Sequence, residues 1–248
     1  TAPRDADEAI RFVYLGDVQT GVPEWGRQFS ALVSSRPDLR FALLTGDLVN
    51  FGAMSTLWDE ALAAAGDAFA SIPVVPAIGN HETFAGGGAL FDAFFVLPSD
   101  GPVAPERAYV IRYGPLLLAV LDTTDRDRIE VQAQWLDQVL TDSHAIWKIV
   151  AFHHPIWTSV PRRDSAWLRD VLVPVFDRHA VDLVLTGHDH VYSRTWPLRA
   201  GSQTPDGTVY CVANAGSKHY RTEPSPLFAK ILGDVSTWQV ITLSSERL

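Results

Sequence analysis

The sequence predicts an α/β protein built on a pair of mixed β-sheets with helices outside, and three observations carry that expectation. Five apolar segments each run into a polar turn, stretches of helical spacing lie between them, and two regions have the texture of antiparallel hairpins. Strands alternating with helices imply parallel pairing, whereas short strands joined by tight turns imply antiparallel pairing.

The apolar segments are IRFVYLGD (10–17), LRFALLTGD (39–47), IPVVPAIGN (72–80), WKIVAFHHP (147–155) and VDLVLTGHD (181–189). Their near-continuous Val, Ile, Leu and Phe content reads as buried strands. Helical spacing covers Trp25 to Ser35, Met54 to Ala70 and Val131 to Leu140, where Leu136, Val139 and Leu140 share a face with Trp135 beside them. Hairpins are expected in AYVIRYGPLLLAVLD (108–122) and GTVYCVANAG (207–216). Gly86 to Gly88 and Pro98 to Pro105 read as loops, too short to divide the chain, so residues 1–248 are expected to form one domain without internal repeats.

With 248 residues, 47% of them hydrophobic and 20% charged, the chain has material for a sizeable core. Runs such as Leu116 to Leu121 are strand length, far short of the roughly 20 apolar residues a membrane span needs. The net charge of -9 argues against an extended nucleic-acid surface. It leaves room for a phosphate substrate, because bound cations would set the local field. Cys211 is the sole cysteine, which excludes an intrachain disulfide, and its strand setting predicts a packed, buried thiol. The chain starts Thr-Ala-Pro without methionine, which suggests a processed or trimmed start; export with a signal peptide removed is one expectation, and the sequence assigns no location.

Ligands of open α/β sheets gather outside the carboxyl ends of the strands. All five polar turns occupy that position, so Asp17, Asp47, Asn80, His81, His153, His188 and His190 are expected to meet in one cleft. A single Gly-Asp after a strand is commonly a turn that caps a helix. GNHE is more specific, and GHDH more again, since its two histidines fall on one side of an extended segment. Oxygen and imidazole donors without thiolate suit zinc, manganese or iron.

In these motifs the sequence resembles the calcineurin-like metallophosphoesterase superfamily, and within it the catalytic domain of purple acid phosphatases and their bacterial relatives. GHDHVYSRT and GTVYCVANAGSKHY extend the resemblance over nearly the whole chain. The resemblance implies a four-layer αββα sandwich and two divalent or trivalent metal ions. Asp47 would bridge both ions, Asp17 and His190 would hold the first, and Asn80, His153 and His188 the second. His81 would contact the phosphoryl group or the leaving oxygen, His154 would sit beside the ligands, and Glu82 has no assigned ligand role.

The first motif departs from the superfamily. Gln19 stands where most members have histidine, and Asn50 stands where purple acid phosphatases have tyrosine. The first ion must therefore take an amide oxygen from Gln19 or Asn50, or water, which predicts looser binding there and no tyrosinate-iron colour. Arg162 and Arg163, and Lys218, His219 and Tyr220, are candidate walls of the cleft, each with a plain surface or packing alternative; Trp157 is either an apolar wall or core.

Two ions about 3.5 to 4 Å apart would lower the pKa of a bound water toward roughly 7, supplying hydroxide for in-line attack on a small phosphoester. The leading expectation is phosphomonoester hydrolysis, with phosphodiester hydrolysis on the same core as the alternative and a non-catalytic scaffold as a reading from another class. No G-x-S-x-G elbow is present, which sets aside a serine hydrolase.

Overall fold

The computed structural model describes residues 9–103 and 106–244, so the Thr-Ala-Pro start and the end of the Pro98–Pro105 loop lie outside them. Strands β1 (Ile10–Leu15), β2 (Leu39–Thr45) and β3 (Val74–Ala77) pair in parallel. The chain continues through β4 (Tyr109–Tyr113), β5 (Leu116–Val120), β6 (Trp147–Ala151), β7 (Leu183–Thr186) and β8 (Tyr192–Thr195). It ends with the short β9 (Leu198–Arg199) and β10 (Ser202–Gln203), then β11 (Val209–Val212), β12 (Phe228–Leu232) and β13 (Gln239–Leu243). One sheet runs β13-β1-β2-β3, the other β12-β8-β11-β7-β6-β5-β4, and β9 with β10 forms a small ribbon.

Helices α1 (Val22–Ser35), α2 (Ser55–Ala64), α3 (Gly66–Ser71), the single turn α4 (Asn80–Thr83) and α5 (Gly88–Phe94) belong to the first half. Helices α6 (Ile129–Thr141) and α7 (Ala166–His179) belong to the second. The period of two along the strands sorts the apolar residues into layers. Phe12 and Tyr14 of β1, Leu116, Leu118 and Val120 of β5, and Ile149 of β6 fill the space between the sheets. Val13 and Leu15 pack with Trp25, Phe29 and Val33 of α1. Leu117, Ala119 and Val150 pack with Leu136 of α6 and Leu172 of α7. The result is the four-layer αββα sandwich, and Leu118→Ala at its centre is expected to cost about 2–5 kcal/mol.

The hydroxyl of Tyr14 ties the sheets together beside the strand ends. It donates to the Thr186 carbonyl and accepts from the Thr186 amide at 3.0 Å. Burial pushes this phenol well above its ordinary pKa, so it remains a donor. Cys211 is buried between the sheets as expected, its thiol pushed up to about 12 by desolvation.

Three local expectations are corrected, and the alternative left open for Trp157 is resolved. The helix expected over Met54 to Ala70 breaks at Ala65 (φ -102°, ψ 8°), ahead of a helix-weakening Gly66. The break turns α3 so that Phe69 meets Trp25 and Phe29 at 6.2 and 5.9 Å. Gly88 is the first residue of α5 rather than loop. GTVYCVANAG forms one strand, β11, parallel to β7 and antiparallel to β8, instead of a hairpin of its own. Trp157 lies against Tyr210 at 6.3 Å, under the guanidinium of Arg169, and packs with the core beneath α7.

Candidate metal centre

Five parallel strands deliver the polar turns to one edge, and backbone bonds lock the turns to one another. The Asp17 amide donates to the Gly46 carbonyl (3.1 Å), that of Gln19 to Asp47 (3.0 Å) and that of Gly187 to His153 (3.0 Å). Asp17, Asp47, His188 and His190 adopt left-handed backbone, with φ of 57°, 56°, 72° and 50°. Such conformations cost free energy in non-glycine residues and gather at functional sites, where the surrounding structure imposes them. Gly46, at φ 88°, has no room for a side chain: a Cβ there would stand 2.6 Å from His153 Nδ1.

The turns form two ligand clusters that share one carboxylate. Asp47, His153 and His188 make one, and Asp17, Asp47 and His190 the other, with the donor atoms of each within 4.8 Å of one another. Asn80 joins the first of these, its Oδ1 lying 3.0 Å from His153 Nε2. His153 Nδ1 faces the Thr45 carbonyl at 2.8 Å. A carbonyl only accepts, so Nδ1 carries the proton and Nε2 is turned to the cluster, as metal-binding imidazoles are oriented.

The electrostatics of the clusters suit cations. Burial draws the His153 imidazolium down, but Asp47, its hydrogen bond and Asp17 outweigh it and push the pKa up to about 10. A divalent ion satisfies the same field while leaving the imidazole neutral. His190 is lowered to about 4 by burial and by Lys218, and His188 is held well below its usual range by burial and His153, so both offer lone pairs. Asp17 Oδ1 is buried with no hydrogen-bond partner and lies 3.7 Å from His190 Nε2. An orphaned carboxylate oxygen in this position fits a metal donor.

Gln19 completes the second cluster. With its amide turned to donate to the carbonyls of Asp47 (3.1 Å) and Asp17 (3.2 Å), both donor protons are used. The atom facing Asp47 Oδ2 at 3.3 Å and His190 Nε2 at 3.4 Å is then the amide oxygen. Asn50 takes part through its main chain. Its backbone carbonyl lies 2.7 Å from His81 Nδ1 and so orients His81.

His81 is placed beside Asp47, its amide donating to Asp47 Oδ1 at 3.0 Å and its Nε2 lying 4.0 Å from Oδ2. His154 stands behind the clusters, its ring 4.5 Å from that of His188 and its Nδ1 2.9 Å from the Thr123 hydroxyl. Burial and His153 lower it to about 3. Arg162 is exposed, whereas Arg163 donates to the Asp189 carboxylate (2.8 Å) and the His188 carbonyl (3.2 Å). The guanidinium also lies over the Tyr220 ring at 4.8 Å, with Lys218 Nζ 5.1 Å from the same ring. Tyr220 packs against His190 at 4.8 Å. Arg163 thus braces the GHDH turn from behind the ligands rather than lying free in solvent. His219 Nδ1 faces the Asn214 amide at 3.1 Å.

Two acidic residues matter more than their motifs announce. The Glu82 carboxylate is fully buried and accepts the amides of Asp47 (2.8 Å), Leu48 (2.7 Å), Val49 (3.1 Å) and Gly79 (2.8 Å). It therefore fastens the Asp47 turn to the Asn80 turn. Asp189, also fully buried, accepts from Thr158 as well as Arg163 and fixes the turn between the two histidines. Their place inside the ligand motifs was the available signal, but apart from Gly79 the partners of their carboxylates are distant in sequence.

Known proteins resemble this chain in sequence and in fold. An uncharacterized Mycobacterium tuberculosis protein is 29% identical over 160 residues, 55% of this chain and 30% of its own length. Purple acid phosphatase 17 of Arabidopsis thaliana is 23% identical, covering 91% of this chain and 73% of the relative. A nucleotide pyrophosphatase/phosphodiesterase of Hordeum vulgare is 26% identical over 70% of this chain and 56% of its own. The purple acid phosphatase from yellow lupin seeds superposes with a TM-score of 0.80 at 17% identity, over 98% of this chain and 51% of that one. This chain therefore spans about half of the lupin enzyme and under a third of the mycobacterial protein. The model of the calcineurin-like phosphoesterase family matches residues 10–192, which include every candidate ligand, and the chain belongs to that family.

Proposed function

We propose that the chain hydrolyses phosphomonoesters at a dinuclear centre held by Asp17, Gln19, Asp47, Asn80, His153, His188 and His190. The observation that carries this reading is the pair of clusters sharing Asp47, the arrangement needed to hold two cations side by side. Iron, zinc and manganese all suit the donor set. When bound, two such ions supply an activated water and neutralise phosphate oxygens.

The protein's own part is positioning and proton transfer. Glu82 and Asp189 set the turns that carry the ligands. His81 carries a proton on Nδ1, because that nitrogen faces the Asn50 carbonyl, and so presents Nε2 to the cleft. In the imidazolium form Nε2 gives its proton to the leaving oxygen as the P–O bond to the alcohol breaks. The oxygen of water has then bonded to phosphorus, and a proton released from that water restores the charge balance.

Phosphodiester hydrolysis is the second reading, supported by likeness to the barley phosphodiesterase. A scaffold reading finds a parallel in a Plasmodium protein described as the anchor in the inner membrane complex, alike in fold at a TM-score of 0.70 and 16% identity. The two ligand clusters that share Asp47 argue for catalysis in this chain. Turnover of aryl monoesters and diesters with zinc, manganese and iron tests all three: faster monoester cleavage abolished by chelator supports the proposal. Diester preference selects the second reading, and a protein that takes up no metal selects the third.

A further inference from the structure

Two phenylalanines stand in solvent beside His81. Phe51 lies between Asn50, whose carbonyl holds the His81 ring, and Gly52, whose amide donates to the His81 carbonyl at 2.9 Å. Phe84 follows α4, the turn that carries Asn80 and His81. Phe51 is 43% and Phe84 59% exposed, and their rings meet edge to face at 5.7 Å. Met54, half exposed, follows Phe51 closely and its amide donates to the Phe51 carbonyl at 3.0 Å. An aromatic pair left open to water beside a reactive centre is the kind of surface that binds an apolar ligand group.

The backbone holds Phe84 in place at some cost. Ala85 takes a left-handed conformation at φ 54°, followed by Gly86 at φ 81°. Gly87 packs so closely on Gly52 that a Cβ would stand 2.3 Å from the Gly52 carbonyl carbon. The loop of Phe51 and the loop of Phe84 are therefore pressed together, which keeps the two rings as a unit.

The other side of the cleft has the opposite character. There Lys218 lies over Tyr220, which packs on His190. The cleft is thus cationic toward His190 and apolar toward His81. In-line displacement puts the departing alcohol opposite the attacking water, and the proposed role of His81 places the leaving oxygen at its Nε2. The carbon skeleton of the alcohol then extends across Phe51 and Phe84.

We propose that Phe51 and Phe84 form a shelf for the leaving group, and that the preferred substrate is a phosphate monoester of an apolar or aromatic alcohol. This rests on the phosphomonoesterase reading and on the placement of His81. The test uses the metal-loaded chain with 2-phenylethyl phosphate and glycerol 1-phosphate, two primary alkyl esters that differ in the polarity of the alcohol. The wild type is expected to favour the phenylethyl ester in kcat/KM, and in the Phe51→Ala/Phe84→Ala double variant the ratio of the two values should fall roughly tenfold. Metal content and thermal unfolding of the variant check that the fold and centre survive, and both side chains are exposed enough for that. A ratio that the double substitution leaves unchanged overturns the shelf while leaving phosphomonoester hydrolysis standing. A wild type that cleaves neither ester with any metal overturns the underlying reading, and the shelf with it.

Discussion

The Glu82 carboxylate accepts the amide proton of Asp47 at 2.8 Å, so the acid common to both ligand clusters is held in place by a second buried acid. Burial and the Asp47 charge raise Glu82 to about 6, yet four backbone amides converge on its two oxygens. Glu82→Gln keeps the shape but points an NH2 group at N–H donors. We expect a loss of about 3 kcal/mol in urea unfolding, because hydrogen bonds to a charged, buried acceptor are lost and donors are left unpaired. A variant as stable as the wild type would show that the carboxylate does not fasten the two turns.

The metal-free protein should lose stability as pH rises from about 6.5 to about 10. His153 has a folded pKa of about 10, above its ordinary 6.5, so its contribution is fully present below 6.5 and is lost as pH climbs through 10. Metal uptake near neutral pH must expel that proton. Titration of zinc into weakly buffered, chelator-stripped protein should therefore acidify the solution, and His153→Ala should abolish that part of the release.

Gln19 presents its amide oxygen toward Asp47 and His190, and amide oxygen is a weaker donor than imidazole. Calorimetric titration of Gln19→His should show tighter binding at one of two sites, and Gln19→Ala roughly tenfold weaker binding at the same site. Equal affinities in all three proteins would remove Gln19 from the coordination sphere.

His81→Ala should retain its metal content by elemental analysis while kcat on an alkyl phosphate drops roughly a hundredfold or more. Full activity in the variant would exclude proton transfer by His81.

Arg163→Ala frees the His188 carbonyl and the Asp189 carboxylate and removes the guanidinium from Tyr220. Metal affinity should fall roughly 10- to 100-fold, as when other outer partners of ligands are removed, and thermal unfolding of the metal-free chain should shift down as well, because buried Asp189 loses its cationic partner. Arg162→Ala, on the exposed neighbour, should leave metal affinity as it is.

The ligand turns were legible because five apolar runs each end in Asp, Asn or His, a recurrence that helix-capping turns taken singly do not explain. The layers followed from the period of two in segments such as IRFVYL and LLLAV. What stayed hidden depended on partners distant in sequence. Nothing local distinguishes Arg163 from Arg162; only the return of Asp189 beneath it does. Glu82 reads as an ordinary helix-start acid until the Asp47 turn is brought above it. The break at Ala65 reflects packing of α3 onto α1, and the neighbours of β11 are β7 and β8, both of which precede the β9–β10 ribbon in the chain.

Asp47 belongs to both clusters, and its one negative charge is shared between them. Two ions there are thermodynamically linked: the first to arrive screens the field that the second encounters, and by reciprocity each site's occupancy resets the affinity of the other. Across a range of free metal the chain would then carry a single ion, and the supply of metal in its surroundings would act as a dial on how much of the protein is fully loaded.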